Sequence, residues 1–227
     1  QVAGSEVVIG NVPPALLAGE ERLKWVQLNS AGTDGYTQNL SKYVKLTNAT
    51  GAYGLAISEY MLAGLLGLYK QLPAYYTKQK THCWQPLGQD SVRSIDGATI
   101  LILGLGDIGG AFASRVKALG AYTIGIRRQD TRRPPYLDEL YLSEQLDEVI
   151  GRADVVAMSL PNTKDTRKII DRRRLSLMKP GAVLINVGRG NAVDSDALNE
   201  ALRAGRLSGA VLDVTDPEPL PAEHPLW

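Results

Sequence analysis

Cysteine is almost absent from this sequence, since Cys83 is the only one among 227 residues. A single cysteine cannot form an internal disulfide, so we expect a reducing, cytoplasmic environment. Long apolar runs are also missing, because the longest one, residues 55–69, contains Ser58 and Glu59 and is too short to span a bilayer. The N-terminus lacks the basic region and apolar core of a signal peptide. These absences predict no association with a membrane.

An excess of either charge is missing as well. The 25 lysines and arginines nearly balance the 24 aspartates and glutamates, which leaves a formal net charge of +1. This balance gives no support to nucleic acid as a partner. A hydrophobic content of 44% and a charged content of 22% are typical of a globular protein with one large or two modest domains. We predict no metal site.

The most informative stretch is TILILGLGDIGG, residues 99–110. An apolar strand pattern breaks into Gly104, Gly106 and Gly109, and a helical pattern follows. In such a connection the first glycine permits the turn, the second lets the backbone approach phosphates, and the third lets the helix pack closely. The helix N-terminus adds unpaired N–H groups and a partial positive charge. The stretch therefore predicts a dinucleotide site rather than an ordinary strand–helix connection.

Apolar runs alternate with helical patterns from residue 94 onward, and one of these helical patterns is the acidic segment 140–150. Strands alternating with helices require a parallel sheet with right-handed crossovers, whose ligands bind beyond the C-terminal ends of the strands. We therefore predict a Rossmann-type, doubly wound α/β domain over residues 83–227.

The N-terminal part has a different organisation. Three short strands are predicted there, at residues 7–10, 23–28 and 44–48. Residues 52–72 form a long helical pattern with apolar residues on nearly every face, which predicts a helix buried on all sides, either between domains or in a subunit interface. We assign residues 1–82 to a partial substrate domain that includes this helix.

The end of the second strand of the predicted Rossmann domain favours one form of the cofactor. A domain that prefers NAD usually carries Asp or Glu there, to accept a hydrogen bond from the ribose 2′-hydroxyl. This sequence has Arg127 and Arg128 instead. A guanidinium can pair bidentately with a 2′-phosphate, so we predict NADP over NAD, the alternative being two solvated loop charges.

Two charged residues follow later strands. Arg189 stands between Gly188 and Gly190, where it can grip a carboxylate and polarise a neighbouring carbonyl. Glu218 lies between two prolines and can present a carboxylate that orients a catalytic imidazole. A surface salt bridge and a solvated carboxylate are the alternatives for these two residues.

Six segments resemble those of the D-isomer-specific 2-hydroxyacid dehydrogenases, over essentially the whole chain. They are NSAGTD (29–34), GLGDIG (104–109), LPNT (160–163), MKPGA (178–182), INVGRG (185–190), and LDV (212–214) with PEPL (217–220). The resemblance implies a Rossmann-type domain plus a partial flavodoxin-like substrate domain. It also implies hydride transfer between NAD or NADP and a small 2-keto or 2-hydroxy acid.

The resemblance further implies a role for each matching position. Arg189 would bind the carboxylate and carbonyl of the substrate, and Glu218 would pair with a catalytic histidine. Backbone groups of Ala31 and Gly32 would hold the substrate carboxylate. Cofactor contacts are implied for Gly104, Gly106, Asp107, Ile108, Gly109, Pro161, Thr163, Val187 and Asp213. The helix over residues 52–72 resembles the dimerisation element of the family, so a homodimer is implied.

One departure from the family pattern concerns the general acid. The family places its catalytic histidine in a Pro-His-x-x-Gly motif beyond the position that Glu218 matches, and this chain ends nine residues after Glu218. Neither His82 nor His224 fits that motif. We therefore expect a fragment that is nearly inactive alone, since losing such a group costs about 10²–10⁴-fold in rate.

Two other functions stay open at this point. The family includes transcriptional corepressors, which bind the dinucleotide without turning over a substrate, and a protein of that kind is the first alternative. An enzyme acting on phosphite or formate is the second.

Overall fold

The structure, a computed structural model, describes residues 2–88, 91–129 and 132–227. By its internal packing the chain divides into two compact units, Gln1–Tyr53 and Gly54–Trp227. The sequence predicts a domain boundary after His82, whereas the internal packing of the chain includes the long helix in the larger unit. The reason is that Met61 and Leu65 of this helix are fully buried in a core shared with Phe112.

The smaller unit contains the three strands predicted for it. They are β1 (Val7–Ile9), β2 (Trp25–Gln27) and β3 (Lys45–Thr47). The strands are parallel and lie in the order β1-β2-β3. Leu17, Val26 and Leu28 form the centre of its core. Each strand is shorter than its predicted span.

The larger unit is a six-stranded parallel sheet with helices. Its strands are β4 (Thr99–Leu103), β5 (Tyr122–Arg127), β6 (Glu139–Leu142), β7 (Val155–Met158), β8 (Ala182–Asn186) and β9 (Leu207–Leu212). Its helices are α1 (Gly54–Tyr69), α2 (Leu72–Lys80), α3 (Asp107–Ala118), α4 (Leu146–Val149), α5 (Arg172–Leu177) and α6 (Ser195–Arg203). In the strand order β6-β5-β4-β7-β8-β9, the chain proceeds from β4 outward to β6 on one side of the sheet and then from β7 outward to β9 on the other. This order is that of a doubly wound dinucleotide-binding sheet, so the predicted fold is confirmed.

Alternate residues of β4 face two separate hydrophobic cores. Leu101 and Leu103 lie in one core, whereas Ile100 and Ile102 lie in the other with Phe112. All four β4 residues are fully buried. Burial on both faces explains why this strand is a continuous apolar run rather than an alternating one.

The long N-terminal helix is shorter than predicted. It ends at Tyr69, and α2 begins at Leu72 after Gln71 takes a left-handed φ of 57°. One stripe of α1 is buried within the chain, while Leu55 and Tyr60 are 63% and 45% exposed, so burial of its other faces in a subunit interface stays a prediction. In the three described ranges, no helix combines the length and apolarity needed to cross a membrane.

The predicted acidic helix at residues 140–150 is wrong at its start. Residues up to Leu142 form β6, which pairs with β5, and helical turns follow from Ser143 to Arg152, with α4 at their centre. Glu139 of β6 accepts hydrogen bonds from the hydroxyl of Tyr122 on β5 at 2.6 Å and from Arg152. The Arg152 guanidinium is the main cause that holds the pKa of Glu139 at about 2. Cross-strand bonds of this kind stabilise a strand that local helical spacing obscures.

Candidate active site

The glycine turn after β4 has the geometry that its sequence predicts. Gly104 takes a φ of +90°, which side chains rarely adopt. A Cβ atom on Gly109 would overlap the carbonyl oxygen of Gly104, so this glycine permits close packing of helix and strand. A Cβ atom on Gly106 would meet nothing within 4 Å among the described residues, and Gly106 precedes α3 without a side-chain cap there. The turn therefore leaves open space at a helix N-terminus, which fits a pyrophosphate.

Asp107, the first residue of α3, directs its side chain away from this open space. Its carboxylate accepts a hydrogen bond of 2.8 Å from the backbone N–H of Gly54, the first residue of α1. A cofactor contact by Asp107 therefore falls to its backbone. Ile108 packs against the core on the α1 side of the sheet, so the same holds for it.

The loop after β7 is held against the glycine turn. The Ser159 hydroxyl donates to the Gly104 carbonyl oxygen at 3.2 Å. Beyond it, the Thr166 hydroxyl donates to the Pro161 carbonyl oxygen at 2.7 Å and accepts from the Thr163 N–H at 2.9 Å. The predicted cofactor residues Pro161 and Thr163 thus lie in a loop fixed by Thr166. Sequence reasoning missed Thr166, although the paired threonines three residues apart are a signal for such a turn.

The loop after β8 places Arg189 between two tightly packed glycines. A Cβ atom on Gly188 would lie 2.6 Å from the Leu160 backbone nitrogen, and one on Gly190 would overlap the Thr215 carbonyl oxygen. Arg189 itself is extended and partly exposed. The backbone around Arg189 is therefore fixed on one side by the β7 loop and on the other by the β9 loop.

The loop after β9 carries Glu218 and reaches the same place. The Thr215 backbone packs against Gly190, and the Thr215 hydroxyl donates to the Pro217 carbonyl oxygen at 2.8 Å. Glu218 is exposed one residue further on. The two loops predicted to carry catalysis are thus in direct backbone contact.

The predicted cofactor residues Val187 and Asp213 end the neighbouring strands β8 and β9. The Val187 N–H donates to the Met158 carbonyl oxygen of β7 at 3.1 Å. The Asp213 N–H donates to the Asn186 carbonyl oxygen at 3.0 Å, and its side chain is exposed. Both residues therefore lie on the rim that carries the glycine turn.

The two arginines that favour NADP lie at the end of β5, beside the glycine turn. The Gly104 N–H donates to the Ile126 carbonyl oxygen at 3.4 Å, one residue before Arg127. Arg127 is partly buried, and Arg128 is exposed. The end of β5 is thus next to the glycine turn, and both arginines directly follow this contact in the chain.

Comparison with known proteins places these features in one family. The family model for the NAD binding domain of the D-isomer specific 2-hydroxyacid dehydrogenases matches residues 62–227. The chain belongs to the D-isomer specific 2-hydroxyacid dehydrogenase family. Its larger unit, which contains the whole matched range, is thus the NAD-binding domain of a 2-hydroxyacid dehydrogenase.

Individual relatives agree with this assignment. A crystal structure of a D-isomer specific 2-hydroxyacid dehydrogenase family protein from Aeromonas salmonicida matches with a TM-score of 0.88 at 38% identity, over 98% of this chain and 72% of that one. Glyoxylate/hydroxypyruvate reductase A of Citrobacter koseri is 30% identical over 95% of this chain and 70% of its own length. An NADPH-dependent glyoxylate/hydroxypyruvate reductase from Sinorhizobium meliloti, solved with NADP and sulfate, matches with a TM-score of 0.86 at 29% identity, over 97% of this chain and 71% of that one.

The smaller unit of this 2-hydroxyacid dehydrogenase chain contains Ala31 and Gly32. The Asn48 side chain donates to the Ala31 carbonyl oxygen at 2.7 Å, and the Ser30 hydroxyl donates to the Gly32 carbonyl oxygen at 2.8 Å. Both carbonyl oxygens thus accept hydrogen bonds, whereas the backbone N–H groups of Ala31 and Gly32 donate to no other described residue. This arrangement suits an anion, and a role in substrate binding stays a prediction.

The two histidines of this chain lie at turns. His224 accepts from the backbone N–H of Leu226 through Nδ1 at 3.2 Å, which closes a turn. His82 is exposed after α2, with a left-handed φ of 51°. Within the described ranges, no three histidine, cysteine, aspartate or glutamate side chains are grouped to hold a metal ion.

Proposed function

We propose that this chain binds NADPH, in preference to NADH, together with a small 2-keto acid, as part of a D-2-hydroxyacid dehydrogenase. The observation that carries the proposal is the backbone contact between Gly190 and Thr215. This contact joins the loop of Arg189 to the loop of Glu218, on the same rim of the sheet as the glycine turn. A ketoacid reductase needs a turn that binds the phosphates of its cofactor and a cationic side chain that binds the carboxylate of its substrate, and we propose both on one rim.

Each residue has a defined task in this proposal. A dinucleotide held by the turn of Gly104, Gly106 and Gly109 would supply the hydride that reduces the carbonyl carbon of the substrate. Arg189 pairs with the carboxylate and polarises the adjacent carbonyl oxygen, on which negative charge develops. Glu218 orients a catalytic histidine and stabilises its protonated form, and this histidine protonates the oxygen. Backbone N–H groups of Ala31 and Gly32 hold the substrate carboxylate.

Glyoxylate and hydroxypyruvate are the substrates that we favour. The support comes from the Citrobacter koseri and Sinorhizobium meliloti relatives, whose names state activity on these two acids. Assays of NADPH oxidation with glyoxylate and hydroxypyruvate, and of NAD or NADP reduction with formate, separate this choice from the alternative of an enzyme acting on formate.

Replacing both Arg127 and Arg128 with alanine is expected to lower NADPH affinity by about 10–100-fold. One charge-assisted contact to the 2′-phosphate contributes about 1.5–3 kcal/mol, and tenfold in affinity corresponds to about 1.4 kcal/mol, so the stated range corresponds to one such contact from the two arginines together. NADH has no 2′-phosphate, so its affinity should stay within about twofold. Isothermal titration of both cofactors measures the change.

The matched control for this prediction is Arg203→Ala, which removes an exposed arginine at the end of α6. It should leave both affinities unchanged. Tighter binding of NADH than of NADPH by the unaltered chain would contradict the cofactor preference.

A non-catalytic dinucleotide-binding protein is the second candidate function. The observation in its favour is that neither His82 nor His224 makes a hydrogen bond to Glu218 among the described residues, since His224 bonds to Leu226 instead. We propose that the 227-residue chain binds NADPH yet turns over slowly on its own. NADPH binding with undetectable oxidation for every acid tested supports this candidate, whereas rapid turnover excludes it.

We also propose that the chain forms a homodimer through the outer face of α1 and the segment after it. Leu55, Tyr76 and Trp84 are exposed there, Trp84 completely. Large exposed apolar side chains of this kind mark interaction surfaces. Sedimentation equilibrium of the unaltered chain and of Trp84→Ala, which should weaken association, measures the oligomeric state.

A further inference from the structure

Asn186 is a buried polar side chain at the end of an apolar strand. The β8 segment is Ala-Val-Leu-Ile-Asn, and Asn186 is 1% exposed. Its backbone lies between Met158 of β7 and Leu212 of β9. Burying an amide in such a place costs free energy unless the amide makes hydrogen bonds. The bonds that Asn186 makes therefore indicate why this position is not aliphatic.

Both ends of the Asn186 amide bond to the loop that carries Arg189. Its Oδ1 accepts from the Gly188 backbone N–H at 3.1 Å. Its Nδ2 donates to the Arg189 carbonyl oxygen at 2.9 Å. One side chain thus holds the backbone immediately before Arg189 and the carbonyl of Arg189 itself.

Other contacts also constrain this loop, at the two glycines that flank Arg189. Gly188 is packed against the Leu160 backbone, and Gly190 is packed against Thr215. The Asn186 carbonyl oxygen also accepts from Asp213 at the start of the β9 loop. Asn186 therefore contacts both loops that the proposed function uses, while its own side chain is too buried to touch a substrate.

We propose that Asn186 is a positioning residue for substrate recognition. Its amide fixes the backbone on both sides of the Arg189 Cα, so that the guanidinium is presented in the orientation that a carboxylate next to a carbonyl requires. Because a bidentate pair depends on orientation as well as charge, a loosened backbone weakens it without removing any charge. This inference rests on the role of Arg189 in the proposed function.

Binding of oxamate tests the inference, since oxamate carries a carboxylate beside a carbonyl as a 2-keto acid does. In the NADPH-saturated chain, Asn186→Ala is expected to lower oxamate affinity by about tenfold, the loss typical of one charged hydrogen bond. NADPH affinity should change by less than about twofold, because Asn186 lies outside the glycine turn.

Thr123→Val is the matched control for a general loss of stability. Thr123 is also fully buried, and its hydroxyl donates to the Tyr136 carbonyl oxygen at 2.8 Å. It lies on β5, three strands away from β8. Thermal unfolding should show both variants destabilised, yet only Asn186→Ala should lose oxamate affinity. An equal loss in both variants would overturn the inference.

A double-mutant cycle separates positioning from any independent effect. In an Arg189→Gln background, Asn186→Ala should lower oxamate affinity no further, because its effect passes through Arg189. Additive losses would show that Asn186 acts independently of Arg189 and would overturn the inference.

Asn186→Asp serves if the alanine variant does not fold. It keeps an acceptor for the Gly188 N–H but replaces the donor to the Arg189 carbonyl, so it should also lose oxamate affinity. Unchanged affinity in the folded variants overturns the inference alone. Failure of the unaltered chain to bind oxamate overturns the proposed function and the inference together.

Discussion

Gly106→Ala is expected to leave the fold intact and to lower NADPH affinity by about 10–100-fold. A Cβ atom at this position meets no described atom within 4 Å, and the backbone of Gly106, with φ −74°, is accessible to alanine. The methyl group instead takes the space where phosphate oxygens approach the N-terminus of α3. Each amide–phosphate bond lost costs about 1.5–3 kcal/mol, which gives the stated range of affinity. Isothermal titration and thermal unfolding measure the two quantities.

Two further glycine variants make this prediction specific. Gly109→Ala should destabilise the protein by about 1–3 kcal/mol, because its methyl group overlaps the Gly104 carbonyl oxygen in the folded chain. Gly88→Ala adds a methyl group in open space away from the turn and should change neither stability nor binding. If Gly106→Ala binds NADPH as tightly as the unaltered chain, the pyrophosphate does not lie on this turn.

Arg189→Gln is expected to lower oxamate affinity of the NADPH-bound chain by about 10²-fold, since two charge-assisted hydrogen bonds are lost. Arg189→Lys keeps the charge but not the planar fork, so its loss should be smaller, about tenfold. NADPH affinity should stay within about twofold in both variants, because the glycine turn is unaltered. Fluorescence titration with NADPH measures the cofactor affinity of each variant. Titration of the NADPH complex with oxamate then measures the two oxamate affinities.

The comparison between glutamine and lysine is the informative part of this experiment. Equal affinities for the two variants would show that Arg189 acts only as a positive charge. Full oxamate affinity in Arg189→Gln would contradict its assignment to the substrate carboxylate.

The glycine turn was predictable because its chemistry is local. The spacing of Gly104, Gly106 and Gly109 encodes a turn, a close approach and a close packing, and each requirement is visible in the sequence. The structure has all three features in place. The sheet was predictable for a related reason, since each buried strand is a separate apolar run between turn residues.

What the sequence could not show depends on contacts between distant segments. Asn186 is a local exception, since it bonds to Gly188 and Arg189 only two and three residues further on. The contact of Gly190 with Thr215 joins residues on two different strand ends. Residues 140–142 lie in a strand because β5 provides their partners, while their local pattern favours a helix. The outer face of α1 is exposed in this chain, and apolar composition does not reveal what covers it.

Titration of the purified chain with NADPH, followed by oxamate, tests the central claim most directly. The claim is that one rim of the sheet holds a 2′-phosphorylated dinucleotide and a 2-keto acid together. We predict saturable NADPH binding that is tighter than NADH binding, and oxamate binding to the NADPH complex that depends on Arg189. Absence of NADPH binding at millimolar concentration, or oxamate binding that is unaffected by Arg189→Gln, would contradict it.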